Sequence, residues 1–355
     1  MVDYIACGSI GLPRSLDLHY PAPMSGAKLQ AGWQIEVAPR ARQGAALALV
    51  FDQLAPQVRA DHVAGLLASA RLGKLSLDGL LEARRNGQTL AAMWTQVQPG
   101  RAAGVWPPRM ASSAGNAPHG AADPHTPAAD TAAALSAAAD SLLASAVDRL
   151  SQLGVRIAQA LLPCDAEEDA VRLQRSGFVH LADLVYMVSV VDKFPQDPSD
   201  SDVEFEPLSA DNHARLAQVV ERTYEATLDC PKLNGVREMA DVLEGHRAVG
   251  SFSASRWLIV RHRERDVGCL LLAQHAAESQ LEIVYTGLVR EARGHGWGLE
   301  ITRHAQRLTR SAGCSRLVLA VDADNSPAIR MYTAAGFAAW EQRRALLRIF
   351  DEAVR

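Results

Sequence analysis

The run Arg293-Gly294-His295-Gly296-Trp297-Gly298 carries the most specific chemical signal in this chain. Three alternating glycines, entered from an apolar strand and left by a helix, let backbone N–H groups converge on an anion at the helix N-terminus, and the Arg293 cation stands beside them. Taken alone, this spacing fits a phosphate cradle, a tight turn or a dinucleotide site. The dinucleotide reading needs an acidic residue about twenty positions on, whereas Asp322 lies 322 − 293 = 29 positions beyond Arg293. Upstream, Tyr224, Asp229, Cys230, Lys232 and Asn234 form a polar cluster in which Asp229 could anchor an amine. Cys230 has no histidine partner placed by local sequence, which argues against thiol nucleophilic chemistry. His295 reads as a packing or solvated residue, and no histidine pair has metal-ligand spacing, so no metal is expected.

The elements that must position these residues follow from periodicity. The first part predicts a strand over 34–38, helices over 43–54 and 61–85, a hairpin over 89–98 and 101–106, an alanine-rich helix from 131, and a strand over 155–162. Residues 111–130, rich in Ala, Gly, Pro and His, lack periodicity and read as a mobile loop. The second part predicts strand 203–206, helices 210–227 and 236–244, strands 255–261, 267–274 and 281–289, the glycine loop with a helix to 311, strand 316–321, helix 326–335 and a final strand through 345–350. Between the two parts, 194–202 has linker composition, with Pro195, Pro198 and three aspartates. The expected organisation is an N-terminal extension (1–33), a first domain (34–193), a linker (194–202) and a second domain (203–355).

Bulk properties exclude several function classes. Hydrophobic residues at 48% and charged residues at 21% fit a globular protein. A formal charge of -4 gives no basic footprint, so no nucleic-acid partner is expected. Five scattered cysteines cannot close a complete set of disulfides, and no sustained apolar run marks a leader or membrane span, so a cytoplasmic protein with no membrane partner is expected.

Arg293-x-x-Gly296-x-Gly298, followed by Asn325, Tyr332 and Gly336-Phe337, resembles the cofactor-binding and acceptor-side motifs of the GNAT acetyltransferase superfamily over about 150 residues. The resemblance implies an N-acyltransferase that moves an acetyl group from acetyl-CoA to a primary amine by direct attack. It places the pyrophosphate on the N–H groups of Arg293, Gly294, His295, Gly296, Trp297 and Gly298, and the pantetheine beside the backbone of Leu288, Val289 and Arg290. Asn325 would lie near the pantetheine arm or cap the following helix, and Tyr332 matches the family's general acid. Glu282, in Glu282-Ile283-Val284-Tyr285, resembles the glutamate base of the lysine-directed members; burial in a cleft would raise its pKa toward neutrality. Tyr224 and Asp229 would bind the acceptor, a small-molecule amine in the leading reading. A protein lysine or N-terminus, or a non-catalytic acyl-CoA sensor, are the alternatives.

The chain also repeats itself. Arg172-Leu173-Gln174-Arg175-Ser176-Gly177-Phe178 resembles Met331-Tyr332-Thr333-Ala334-Ala335-Gly336-Phe337, an offset of 336 − 177 = 159 residues. Subtracting 159 puts Leu173 in place of Tyr332, Ala166 in place of Asn325, and alanines 134, 137, 138 and 139 around the position of the glycine loop. The expected fold class is therefore α+β: two tandem GNAT-like domains, each a mixed, mostly antiparallel sheet flanked by helices, the first without a cofactor loop. This organisation resembles the tandem enzymes of the mycothiol synthase family, without importing their substrate.

Overall fold

The computed structural model describes residues 28–30, 32–111, 128–196 and 201–351. Residues 112–127 of the expected loop, most of the expected extension 1–33, and 197–200 of the expected linker lie outside them. The first half runs β1 (Lys28–Gln30), β2 (Trp33–Val37), α1 (Gln43–Val50), α2 (Pro56–Arg71), β3 (Leu80–Arg85), β4 (Gln88–Gln98), β5 (Ala102–Met110), α3 (Ala128–Gln152), β6 (Ile157–Pro163), α4 (Glu167–Arg175) and β7 (Val179–Val190). The second half repeats that order from β2 onward: β8 (Val203–Pro207), α5 (His213–Thr223), α6 (Met239–Ala248), β9 (Trp257–His262), β10 (Arg265–His275), β11 (Gln280–Leu288), α7 (Trp297–Ser311), β12 (Arg316–Asp322), α8 (Ser326–Ala334) and β13 (Ala338–Ile349).

One element differs in kind from its expectation. The helix expected over 61–85 stops at Arg71, where Gly73 takes φ +67, and Leu80–Arg85 is strand β3. Its Leu and Arg residues favour helix locally, but sheet pairing on both sides prevails: Leu81 lies opposite Val37 on one edge and Met93 on the other.

Two separate sheets are expected, yet the strands form one sheet of thirteen, in the order β1-β2-β3-β4-β5-β6-β13-β7-β12-β11-β10-β9-β8. The cause is an exchange. β7, from the first half, pairs with β12 of the second; β13, from the second half, pairs with β6 of the first; and β7 and β13 pair with each other at the centre. The registers keep the sequence offset, since Ile349 faces Ile157 and Val190 faces Arg316, with 349 − 190 = 159 and 316 − 157 = 159. The halves are thus related by an approximate two-fold axis through the β7–β13 pair.

In both halves a parallel strand pair opens after a short contact. β5 and β6 pair only from Ala102–Ile157 to Gly104–Gln159, and β11 and β12 only from Gln280–Arg316 to Glu282–Val318. Beyond these points the strands splay apart, leaving backbone groups without a ladder partner. A β-bulge reinforces the opening in the second half: Leu271 faces Tyr285 and Leu272 faces Ile283, leaving Val284 as the extra residue. Separate apolar clusters fill the sheet's faces, one joining Leu281, Ile301, Leu317 and Phe337 near α7 and α8, another joining Leu216, Val219, Trp257 and Leu271 near α5 and α6. Across the seam, Cys230, Leu233 and Val236 pack on Ile157, Leu181 and Leu347, so the loop after α5 leans onto the first half.

Candidate active site

The glycine loop sits where the splay requires a cradle. Gly294 and Gly296 take φ +84 and +79, values that L side chains rarely adopt, and Trp297 opens α7. No protein acceptor receives the N–H groups of Gly294, His295, Gly296, Trp297 or Gly298 among the described residues. These residues therefore fit a phosphate-bearing ligand. Arg293 behaves differently: its amide donates to the Arg290 carbonyl at 3.3 Å. Its Nε reaches the Leu288 carbonyl at 3.2 Å, Nη1 reaches Ala226 at 2.9 Å, and Nη2 reaches Thr223 at 2.9 Å and Glu225 at 2.7 Å. The guanidinium expected to face the anion instead caps the C-terminal end of α5 and ties it to the loop. His295 Nδ1 lies 3.1 Å from the Arg293 carbonyl and its ring stacks on Trp297 at 4.8 Å, a packing role.

Among the residues expected beside the pantetheine, Val289 has both backbone groups engaged, its N–H with Val267 at 3.0 Å and its carbonyl with Ala292 at 2.9 Å. Backbone alternation turns the Leu288 N–H toward the open edge. Arg290 makes an exposed ion pair with Glu225 at 3.0 Å. Asn325 caps α8, its side-chain oxygen accepting from the Ala328 N–H at 3.3 Å.

Tyr332, on α8, is 6% exposed, with its ring 5.6 Å from that of Phe337. Its hydroxyl has no hydrogen-bond partner among the described residues. Burial, and then the charge of Asp229, push its pKa above the usual phenol value. Glu282 lies at the last paired position before the splay, its carboxylate 2.6 Å from His275 Nε2. Burial opposes a charge on that imidazole, yet the hydrogen bond and charge of Glu282, with Glu278, outweigh it and hold the His275 pKa above its ordinary value. Glu282, expected from the sequence as a desolvated carboxylate in a cleft, is thus hydrogen-bonded to His275.

The acceptor-side cluster divides. Asp229 faces the site, its pKa raised by burial and by the neighbouring Asp322 charge despite a backbone hydrogen bond that opposes them. Tyr224 lies edge-on to Tyr285 at 5.5 Å, and the Tyr285 hydroxyl is 2.7 Å from Thr223 Oγ1. The His246 ring stacks on Tyr285 at 5.5 Å. Burial pushes the Cys230 thiol up to about 12, with Asp229 and Asp322 adding, so a reactive thiolate is disfavoured. Lys232 donates to the His180 carbonyl at 2.6 Å and Asn234 to the Tyr224 carbonyl at 3.1 Å, both structural contacts. Tyr285, Asp322, His246 and His275 were not assigned from sequence; of these only Asp322, inside Asp322-Ala323-Asp324-Asn325, offered a local signal.

Among the described residues, the first half keeps the opening and shows no glycine cradle at the equivalent place. α3 and α7 end at equivalent positions, 311 − 152 = 159, but α3 has 25 residues against 15. The loop's counterpart is thus interior helix, with Ala138 and Ala139 fully buried and backbone N–H groups engaged along the helix.

Known proteins bear on this geometry in two ways. The chain resembles a solved GCN5-related N-acetyltransferase from Sphaerobacter thermophilus, at 16% identity and TM-score 0.53, over 91% of this chain and 97% of that one. It also resembles the glucosamine N-acetyltransferase region of a fungal multi-domain GH3 β-N-acetylglucosaminidase, at 13% identity and TM-score 0.56, over 91% of this chain and 39% of that one. At such identities the likeness is one of fold. No curated protein matches the sequence. The sequence pattern of the Acetyltransferase (GNAT) family matches residues 220–337, the span that holds the glycine loop, the splayed strand and Tyr332, so this part of the chain carries that family's pattern.

Proposed function

We propose that the second half transfers an acetyl group from acetyl-CoA to the primary amine of a small molecule, by direct attack in a ternary complex. The observation that carries this reading is the row of unengaged N–H groups from Gly294 to Gly298 at the start of α7, beside the open edge of β11. In this reading the loop holds the pyrophosphate, the Leu288 N–H meets the pantetheine arm, and Asn325 shapes the start of α8. The Tyr332 hydroxyl, held protonated by its surroundings, offers a hydrogen to the departing sulfur. A small acceptor is favoured over a peptide because Cys230, Leu233 and Val236 close the acceptor side against the first half.

The test is Tyr332→Phe. Turnover should fall about 100-fold, within the usual range for losing a general acid, while the acetyl-CoA dissociation constant measured by calorimetry stays within about a factor of two. Unchanged turnover would remove Tyr332 from the mechanism.

A further inference from the structure

At the end of β12, two carboxylates and three tyrosines, one of them with an idle hydroxyl, converge. Asp229 Oδ1 accepts the Asp322 N–H at 3.0 Å, and Asp322 Oδ2 accepts the Cys230 N–H at 3.1 Å, so Asp322 is clasped by the Asp229-Cys230 segment through both its backbone and its side chain. Asp322 Oδ1 takes the Asp324 N–H at 3.0 Å. Asp229 Oδ2 is left without a donor, and no Arg, Lys or His pairs with either carboxylate among the described residues. Arg237, which faces Tyr224, has Nη1 on the Gly100 carbonyl at 3.1 Å. Tyr224 and Tyr285 lie edge-on at 5.5 Å, and the charge of Asp229 adds, after burial, to the raised pKa of Tyr332 and to a smaller degree of Tyr224 and Tyr285. Tyr332 is nine-tenths buried, with an unpartnered hydroxyl. Such a site has negative charge and aromatic faces and lacks a balancing cation. Glu282, by contrast, already has a hydrogen-bond partner in His275 at 2.6 Å.

We infer that Asp229 receives the acceptor as an ammonium ion and takes its proton, and that the acceptor is a compact cationic amine held against Tyr224 and Tyr285. This rests on the acyl-transfer reading of the same site. One proton passes from the ammonium nitrogen to Asp229 Oδ2. The freed lone pair forms the C–N bond to the acetyl carbon, and the C–S bond breaks with its electron pair going to sulfur. Sulfur takes a proton from Tyr332, the nitrogen's remaining excess proton restores the Tyr332 hydroxyl, and Asp229 releases its proton to water. One ammonium and one thioester thus give one amide, one thiol and one proton. An amino acid fits poorly, because its carboxylate would meet Asp229 and Asp322.

The test uses the whole chain with 1,4-diaminobutane and phenethylamine as cations and glycine as the zwitterion, comparing wild type with Asp229→Asn. Asparagine keeps the Oδ1 that accepts the Asp322 N–H. Saturation-transfer NMR reports amine binding without acetyl-CoA, calorimetry reports acetyl-CoA, and thiol release reports turnover against pH. Both cations should bind wild type, and at least one should be acetylated with kcat/KM ten times that of glycine or more. Asp229→Asn should weaken amine binding about tenfold and lower kcat/KM about 100-fold at neutral pH. It should also erase the acidic limb of the pH profile, with Asp322, Cys230, Tyr224, Tyr285, Tyr332 and Arg237 all retained around the position. Acetyl-CoA affinity should hold, which separates this change from misfolding. Failure of both cations to bind wild type, equal binding to the variant, a persistent acidic limb or a preference for glycine would each overturn the inference. If wild type fails to bind acetyl-CoA, the acyl-transfer reading falls, while the amine-binding arm still judges Asp229.

Discussion

Replacing Arg293 by lysine separates two tasks that a guanidinium in this loop could perform. If its charge holds the ligand's phosphates, lysine preserves most of the attraction and methionine abolishes it. The structure assigns it instead to four backbone carbonyls, those of Leu288, Ala226, Thr223 and Glu225. A typical hydrogen bond contributes about 1 kcal/mol net, and an ammonium cannot reproduce a planar fork. Lysine should retain one or two of the four, so Arg293→Lys should cost about 2–3 kcal/mol and Arg293→Met somewhat more. At about 2–4 °C per kcal/mol for a chain of this class, the melting temperature should drop by roughly 5–10 °C in both variants. Thermal scans by circular dichroism measure that, and calorimetry with acetyl-CoA below the transition measures affinity. Melting temperatures within a degree of wild type, with affinity reduced more than tenfold in the methionine variant alone, would refute the capping assignment.

His246 should make the fold sensitive to acid. Its Nε2 is shielded and unpartnered, although the residue as a whole keeps some exposure, and burial lowers its pKa from 6.5 to about 4 with Arg237 adding. A depressed pKa means stability that is present above 6.5 and lost as pH falls through about 4; the shift, 6.5 − 4 = 2.5, corresponds to about 3 kcal/mol. Urea midpoints at pH 7.5 and 4.5 should therefore fall less in His246→Gln than in wild type, and parallel falls would count against it. Calorimetry should find one acetyl-CoA per chain, because α3 occupies the place of a second cradle; two equivalents would show that the first half binds after all. Gly296→Ala, at φ +79, should cost about 1–2 kcal/mol in backbone strain and weaken acetyl-CoA several-fold, and unchanged affinity would remove this turn from the cradle.

What the sequence disclosed was local. The cap at Asn325, the amphipathic α7 and the repeated Gly-Phe turn at Gly177 and Gly336 are written within a few residues each, and the offset between the turns persists in the strand registers. The exchange of β7 and β13 was hidden because nothing in a strand's own residues specifies which of two equivalent neighbours it joins. β3 was hidden because its helix-favouring residues are held extended only by partners on both sides. In the candidate site, Tyr332 and Asp229 were singled out by their places in the sequence, Tyr332 just before the Gly336 turn and Asp229 in the polar stretch after α5. The His275 partner of Glu282, and the Tyr285 and His246 rings, come from β10, β11 and α6, and their meeting is a product of packing. The contacts of Arg293 were hidden for the same reason: the carbonyls that engage its side chain lie mostly at the end of α5, in a distant stretch of chain.

The central β7–β13 pair also governs how the chain can be made. During synthesis the first half emerges with β6 and β7 complete, but neither permanent neighbour of β7 yet exists, and β6 has one open edge. Until Ala338–Ile349 leaves the ribosome, that edge is an invitation to the wrong partner, whether another nascent chain or β7 itself. A provisional β6–β7 pairing would have to be broken when β13 arrives, a late and slow step dominated by contacts far apart in sequence. The two halves should therefore mature together, and cutting the gene between them should yield two aggregation-prone fragments in place of one inert half and one enzyme.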